Sequence, residues 1–172
     1  MEAMTKQDIV RSPRNPDPLT PAQRSRNMSR IRARDTKPEL LLRRALHAAG
    51  LRYRLHDRRL PGTPDIVLPG RRAVIFVHGC FWHGHDCPKG VTPGTNTRFW
   101  TEKIERNRER DARTDTALAA AGWKVMTVWE CALRGVARRA LADVVREILD
   151  WLEISDSAHE ITGRWPIGVD TG

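Results

Sequence analysis

Apolar positions recur along the chain with two different periods. Leu41, Leu42, Ala45, Leu46 and Ala49 fall at the three-to-four spacing of one helix face. Thr36 can cap that helix, Pro38 is tolerated in its first turn, Glu39 stands where a capping box wants it, and Gly50 stops it. The period then drops to two. Leu51, Tyr53 and Leu55 alternate with Arg52, Arg54 and His56, which predicts a half-exposed strand. Leu60-Pro61-Gly62-Thr63-Pro64 is a turn cluster. Residues 65–68 read as a short strand, Pro69-Gly70 as a tight turn and 73–77 as a buried strand. A Pro/Gly/Thr-rich loop runs to Asn96, and a long helix is predicted over 98–121, ending at Gly122. Residues 123–129 predict a strand. Residues 137–152 predict an amphipathic helix with Leu141, Val144, Val145, Ile148 and Leu149 inward. Short turns among the first three strands imply an antiparallel meander. The long helix before the fourth strand permits a parallel crossover. The expected class is α/β, a mixed central sheet flanked by helices. Residues 1–20, rich in Pro, Arg, Asn and Asp, read as a disordered leader, and the tail at 153–172 shows no period. The body of the chain is then one domain over 21–152.

Composition narrows the class. A chain of 172 residues with 40% apolar and 30% charged residues suits one globular domain. No apolar run approaches the roughly 20 residues of a membrane span. The first residues carry no apolar export signal. Three cysteines are too few, and odd in number, for a disulfide scaffold. These features argue against membrane, collagen-like and small secreted classes and point to a reducing, cytoplasmic setting.

Charge adds a partner. The net charge is +9, and 25 of the 30 basic residues are arginine, whose fork matches phosphates and base edges bidentately. Residues 1–60 hold 15 basic and 6 acidic residues, whereas 61–172 hold 15 of each, so the whole excess sits in the first third. That is the electrostatic footprint of a polyanion binder. It centres on a basic arm at 21–35 containing Arg24, Arg26 and Arg30, with Met28 and Ile31 its large apolar groups.

Two groups of residues carry candidate chemistry. Cys80, His85 and Cys87 lie in one short run and Cys131 follows the fourth strand. Three Cys and one His form a closed tetrahedral set suited to a structural Zn2+ ion, at a sheet edge if the two preceding strands are parallel neighbours. Inert buried thiols are the plainer reading, and His83 competes with His85 for the fourth place. Asp65 opens a strand beside a turn, the frame of a metal-dependent nuclease. A turn former explains it equally, and the usual Glu-x-Lys of the next strand is replaced here by Phe76-Val77-His78.

The segments PELLLRRALHAAGLRYRLHDRRLPGTPDIV, VIFVHGCFWHGHDC, RFWTEKIERNRERD and GWKVMTVWECALRG resemble, in order, the very short patch repair (Vsr) endonuclease family over about residues 22–152. The resemblance implies a PD-(D/E)xK restriction-endonuclease-like core with a structural zinc site. It implies a Mg2+-dependent enzyme that nicks one DNA strand next to the T of a T:G mismatch left by 5-methylcytosine deamination. By the same resemblance, Asp65 and the backbone carbonyl of Val77, where the family carries Thr, hold Mg2+. His83 is the catalytic histidine, Glu39 and His78 complete the active site, and Cys80, His85, Cys87 and Cys131 bind Zn2+. Phe81 and Trp82, with Met28, resemble aromatic and apolar wedges beside the mismatch. A monomer acting on double-stranded DNA, alongside MutL-type repair factors and on the nucleoid when bound, is implied as well.

Plainer readings stand beside these. Helix capping alone explains Glu39, and a single rotamer is not expected to serve both the cap and the active site. Phe81 and Trp82 could pack inward, Phe99 and Trp100 read as core, and Trp129 reads as packed under the cysteine loop. Arg106, Arg108, Arg110 and Arg113 among Glu102, Glu105, Glu109 and Asp111 read as a solvated ion-pair face. Two other functions stay open: a related nuclease without mismatch preference, and a zinc-stabilised DNA-binding module without catalysis.

Overall fold

The computed structural model describes residues 34–154 and 158–165. The predicted leader and the arm residues Arg24, Arg26, Met28 and Arg30 lie outside them. Helix α1 spans Lys37–Ala48. Its capping box is complete: the Glu39 N–H donates to the Thr36 hydroxyl at 3.4 Å, and the Thr36 N–H donates to Glu39 Oε2 at 3.2 Å. Strands β1 (Arg54–Leu55), β2 (Ile66–Leu68) and β3 (Ala73–His78) follow, then helix α2 (Thr97–Ala120) and strand β4 (Lys124–Trp129). A short helix α3 (Glu130–Leu133), helix α4 (Leu141–Ile154) and strand β5 (His159–Ile161) complete the described chain.

The sheet runs β1-β2-β3-β4-β5. The first three strands are antiparallel, while β3–β4 and β4–β5 are parallel. Connection length dictates this. A single tight turn over Pro69–Arg71 joins β2 to β3, whereas α2 supplies the dozen or more residues that a parallel crossover needs. The parallel register sets His78 beside Trp129, so the segments following β3 and β4 leave the sheet at the same edge. The pleat sorts the core. Ile66, Ile75, Met126 and Val128 pack with Leu42 and Leu46 of α1 and Val144, Ile148 and Trp151 of α4. Val67, Val74, Phe76 and Val125 pack with Leu118 of α2. Among the described residues no helix is long and apolar enough to cross a membrane.

The structure departs from the pattern in five places. The alternating strand read through Leu51, Tyr53 and Leu55 shrinks to Arg54–Leu55, and Leu55 is 43% exposed. Leu41 of the predicted α1 stripe is 37% exposed, while Glu39 and Arg43 are buried on the inward face. Opposite charges neutralise each other there, so polar residues take core positions. Phe99 is exposed although Trp100 beside it is buried against Phe81 and Trp82, because adjacent helix positions point in different directions. The final helix begins at Leu141 rather than 137, after α3 and Gly135 at φ +91°. The tail adds β5, whose Ile161 is fully buried beside Val128, so the sheet extends past the boundary at 152. A three-residue strand with one inward side chain is too short to show a period.

Candidate active site and metal centre

The turn from Gly79 to Gly90 is wound by its own backbone. The His85 N–H donates to Cys80 O at 2.9 Å, and the Gly90 N–H donates to Cys87 O at 2.8 Å. A Cβ on Gly90 would lie 1.9 Å from His85 O, so only glycine closes this turn. The winding, and the shared edge of β3 and β4, bring Cys80, His85, Cys87 and Cys131 together, with ligand atoms all within 4.8 Å of one another. His85 Nδ1 stands 3.6 Å from Cys131 Sγ, and its ring stacks on Trp129 at 4.3 Å. The three thiols are buried and none is in a disulfide. A hydrogen bond from the Cys80 thiol pulls Cys131 down to about 5 and pushes Cys80 itself up. A tetrahedral ion with sulfurs at about 2.3 Å sets them about 3.8 Å apart, so three thiols and an imidazole within 4.8 Å of one another are a donor set that suits Zn2+. The geometry also separates the two rival histidines: His85 faces the sulfurs and His83 faces away from them.

The tail finishes this cluster. The Gly163 N–H donates to Cys131 Sγ at 3.2 Å, and Trp165 packs against the cysteines. Neither residue was singled out by the sequence pattern.

His83 belongs to a second group. Its ring lies flat on His78 at 3.8 Å, with 6° between the planes, and His83 Nδ1 stands 2.5 Å from Asp111 Oδ2. Burial, and then the His83 charge, push His78 down to about 3, so it is neutral. Burial raises the Asp111 carboxyl, but the His83 hydrogen bond and charge outweigh it and leave Asp111 below its ordinary range. An ionised Asp111 accepts, so His83 Nδ1 keeps its proton in either charge state of the ring and Nε2 is the nitrogen that can take or give one. Asp111 therefore departs from the solvated ion-pair face expected of it. It lies on the helix face of the buried Trp100, Ile104 and Leu118, a spacing the sequence does contain. One turn earlier, the Asn107 amide donates to Trp82 O at 2.8 Å and pins the loop to α2. The group opens onto a cleft of about 850 Å3 lined also by Arg108, Asp115 and Glu160.

Asp65 stands apart, in none of the metal-competent clusters found among the described residues. The Val77 N–H donates to its Oδ2 at 2.8 Å. Its Oδ1 makes only a 3.8 Å approach to His56 Nδ1. Burial pushes the carboxyl up, tempered by the Val77 bond, so a cation would relieve a poorly compensated charge. A hard ion that takes one or two carboxylates and fills the rest with water and phosphate fits this place. Glu39 approaches the same region through His56: Glu39 Oε1 lies 3.2 Å from His56 Nε2 and pairs with Arg43. Oε2 serves the cap, so in this one rotamer the two oxygens face different partners, the cap on one side and Arg43 and His56 on the other. Phe81 and Trp82 are half-buried, edge-to-face at 5.0 Å, and both rest on Trp100.

Comparison with known proteins finds relatives over most of the chain. Residues 16–89 match the family model "DNA mismatch endonuclease Vsr". The chain is 51% identical over 134 residues to the type II nicking enzyme V.XorIIP of Xanthomonas oryzae, covering 78% of this chain and 97% of that one. It is 48% identical over 136 residues to the type II nicking enzyme V.NmeAIP of Neisseria meningitidis, covering 78% and 97%. It is 46% identical over 131 residues to the DNA mismatch endonuclease Vsr of Escherichia coli, covering 76% and 84%. Such identity over nearly whole relatives is decisive, and the chain belongs to the Vsr family of DNA mismatch endonucleases.

Proposed function

We propose that this protein is a Mg2+-dependent, strand-specific endonuclease that nicks double-stranded DNA beside the T of T:G mismatches, opening short-patch repair after 5-methylcytosine deamination. The observation that carries the reading is the His83–Asp111 pair at 2.5 Å, with the Asp65 carboxylate outside that cluster but within the electrostatic reach of His83. The names of the relatives supply nicking and mismatch recognition.

Asp65, with the Val77 carbonyl, would hold Mg2+. Bound there, the ion supplies Lewis acidity toward the scissile phosphate and lowers the pKa of a water. His83 Nε2 takes the proton of the attacking water, and Asp111 holds the ring and offsets the charge that the ring gains. His78, neutral and stacked on His83, fixes the plane of that ring. Glu39 orients water from the far side. Zn2+ on Cys80, His85, Cys87 and Cys131 would tie the loop carrying His83 to the sheet edge. Phe81 and Trp82, braced on Trp100, enter the base stack where a T:G wobble resists least. The basic arm with Arg24, Arg26, Arg30 and Met28 clamps the duplex, the protein acts as a monomer on the nucleoid, and MutL-type factors take up the nick.

The test is a nicking assay on T:G and T:A duplexes in several methylation-site contexts, with Mg2+ and with EDTA. One Mg2+-dependent cut in the T-containing strand of T:G duplexes alone is the expected result. Phe81→Ala/Trp82→Ala should lose discrimination before it loses cutting. Equal cutting of both duplexes by the parent protein removes the mismatch role, and binding without cutting in any context removes the enzyme.

A further inference from the structure

His56 is a partly buried histidine that the mechanism above leaves idle. It follows β1, where Leu55 pairs with Ile66, so the antiparallel register sets His56 opposite Asp65. Its backbone is left-handed, at φ +48°, a conformation that non-glycine residues adopt at a cost and that persists where surroundings impose it. The kink turns the imidazole inward between two carboxylates. Arg43 Nη2 donates to His56 Nε2 at 2.6 Å, which leaves the ring proton on Nδ1, the nitrogen 3.8 Å from Asp65 Oδ1. Behind it the anchor is stiff. Arg43 is only 6% exposed, pairs with Glu39 and with Asp35, and its carbonyl accepts from the Tyr53 hydroxyl at 2.8 Å.

We propose that His56 is a positioning residue for metal capture, holding the Asp65 carboxylate in its ligating orientation between the Val77 N–H and an imidazole anchored on Arg43 and Glu39. The inference rests on the reading of Asp65 as the Mg2+ ligand. Val77 fixes one carboxylate oxygen and His56 limits the swing of the other. The 3.8 Å gap is within the range that closes when a catalytic site loads its partners. Ligand-orienting groups of this kind change metal affinity about 10- to 100-fold when removed. A histidine that only accepted a hydrogen bond from Arg43 would leave metal affinity alone.

The experiment compares His56→Phe, which keeps the ring's bulk without its nitrogens, with His56→Gln, which keeps a neutral donor and acceptor, and with Asp65→Asn. The full-length protein is titrated calorimetrically with Mn2+ alone, melted, and assayed for single-turnover nicking against Mg2+ concentration. His56→Phe should bind Mn2+ about 10-fold more weakly and need about 10-fold more Mg2+ for half-maximal rate, with DNA affinity unchanged. His56→Gln should recover most of both. Unchanged Mn2+ affinity and Mg2+ demand in folded His56→Phe overturn the proposal, and so does a His56→Gln no better than His56→Phe. Should His56→Phe not fold, His56→Ala takes its place under the same criteria. An Asp65→Asn variant that still binds Mn2+ and nicks overturns the underlying reading of Asp65. An inactive Asp65→Asn beside unaffected His56 variants overturns the positioning role alone.

Discussion

Two histidines two residues apart, His83 and His85, serve clusters built on opposite plans, and Trp129 divides them. His85 stacks on that indole and joins three thiols. Those sulfurs belong to residues no more than 5% exposed, and all four donors come from this chain. His83 meets the same indole only edge-on, at 6.4 Å, and joins Asp111 with side chains about one-fifth exposed. Asp65 is equally accessible, and among the described residues only one of its oxygens accepts a hydrogen bond. As a donor set, the closed cluster can surround an ion from this chain alone, whereas on the open side Asp65 joins no such cluster among the described residues. The contrast follows from the chemistry of the donors. Soft thiolates can satisfy an ion completely, whereas a lone carboxylate must borrow water and phosphate oxygens.

The sharpest way to break this contrast is to remove one member from each side. Cys131→Ser should cost the ion and, with it, the folded state at 37 °C, because binding energy at a structural zinc site is folding energy, about 10–16 kcal/mol in small domains. Melting and zinc content by atomic absorption check it. Asp65→Ala should leave both unchanged while lowering the nicking rate about 1,000-fold, the scale of several kcal/mol of lost charge stabilisation. If Asp65→Ala unfolded the protein, or Cys131→Ser left it folded and zinc-free with full activity, the division between closed and open sets would fail.

Within the open set, His83→Ala should slow single-turnover nicking about 100- to 10,000-fold. Asp111→Asn should slow it about 10- to 100-fold, since the ring and its basic nitrogen survive and only their orientation and charge support are lost. Because the two act as a unit, the double variant should be no slower than His83→Ala alone. Additive losses would show that Asp111 works independently, on water or on the duplex.

How legible these clusters were depended on sequence distance. The helix, the meander, the long crossover helix and the mixed sheet followed from period and turn chemistry, which act locally. The cysteine cluster was legible too, since three of its ligands sit in one short run and the parallel register supplies the fourth. Asp111 was hidden because charge alternation on α2 suggested an exposed face, although its phase matches Ile104 and Leu118. His56 was hidden because strand alternation pointed it outward, and only its left-handed backbone turns it in. The split of Glu39 was not legible either: its two carboxylate oxygens face different partners, which a capping pattern in sequence does not show. β5 and the cap it places over the cysteines involve too few residues to leave a period.

That cap yields the smallest effect and the finest test of the closed set. Gly163 has no positive-φ requirement; it is glycine because of close approach. A Cβ there would stand 2.7 Å from Cys131 O and 2.9 Å from Ala137 O, both backbone atoms that have little room to move. Gly163→Ala must therefore lift residues 158–165 and lengthen the 3.2 Å bond from the Gly163 N–H to Cys131 Sγ. That bond supports the thiolate that the Cys80 hydrogen bond already favours. Its loss should speed zinc release to a chromophoric chelator about 10-fold, the lower end for outer-shell groups. The overpacking should also lower stability by about 1–3 kcal/mol. Nicking per zinc-loaded molecule should stay at the parent level, because His83, Asp111 and Asp65 make none of their bonds through the tail. Faster zinc release with an unchanged rate keeps the two clusters separate. A fall in nicking that outruns the loss of zinc would show that Trp129, which donates to Glu160 of β5 at 3.0 Å, passes the disturbance from one cluster to the other.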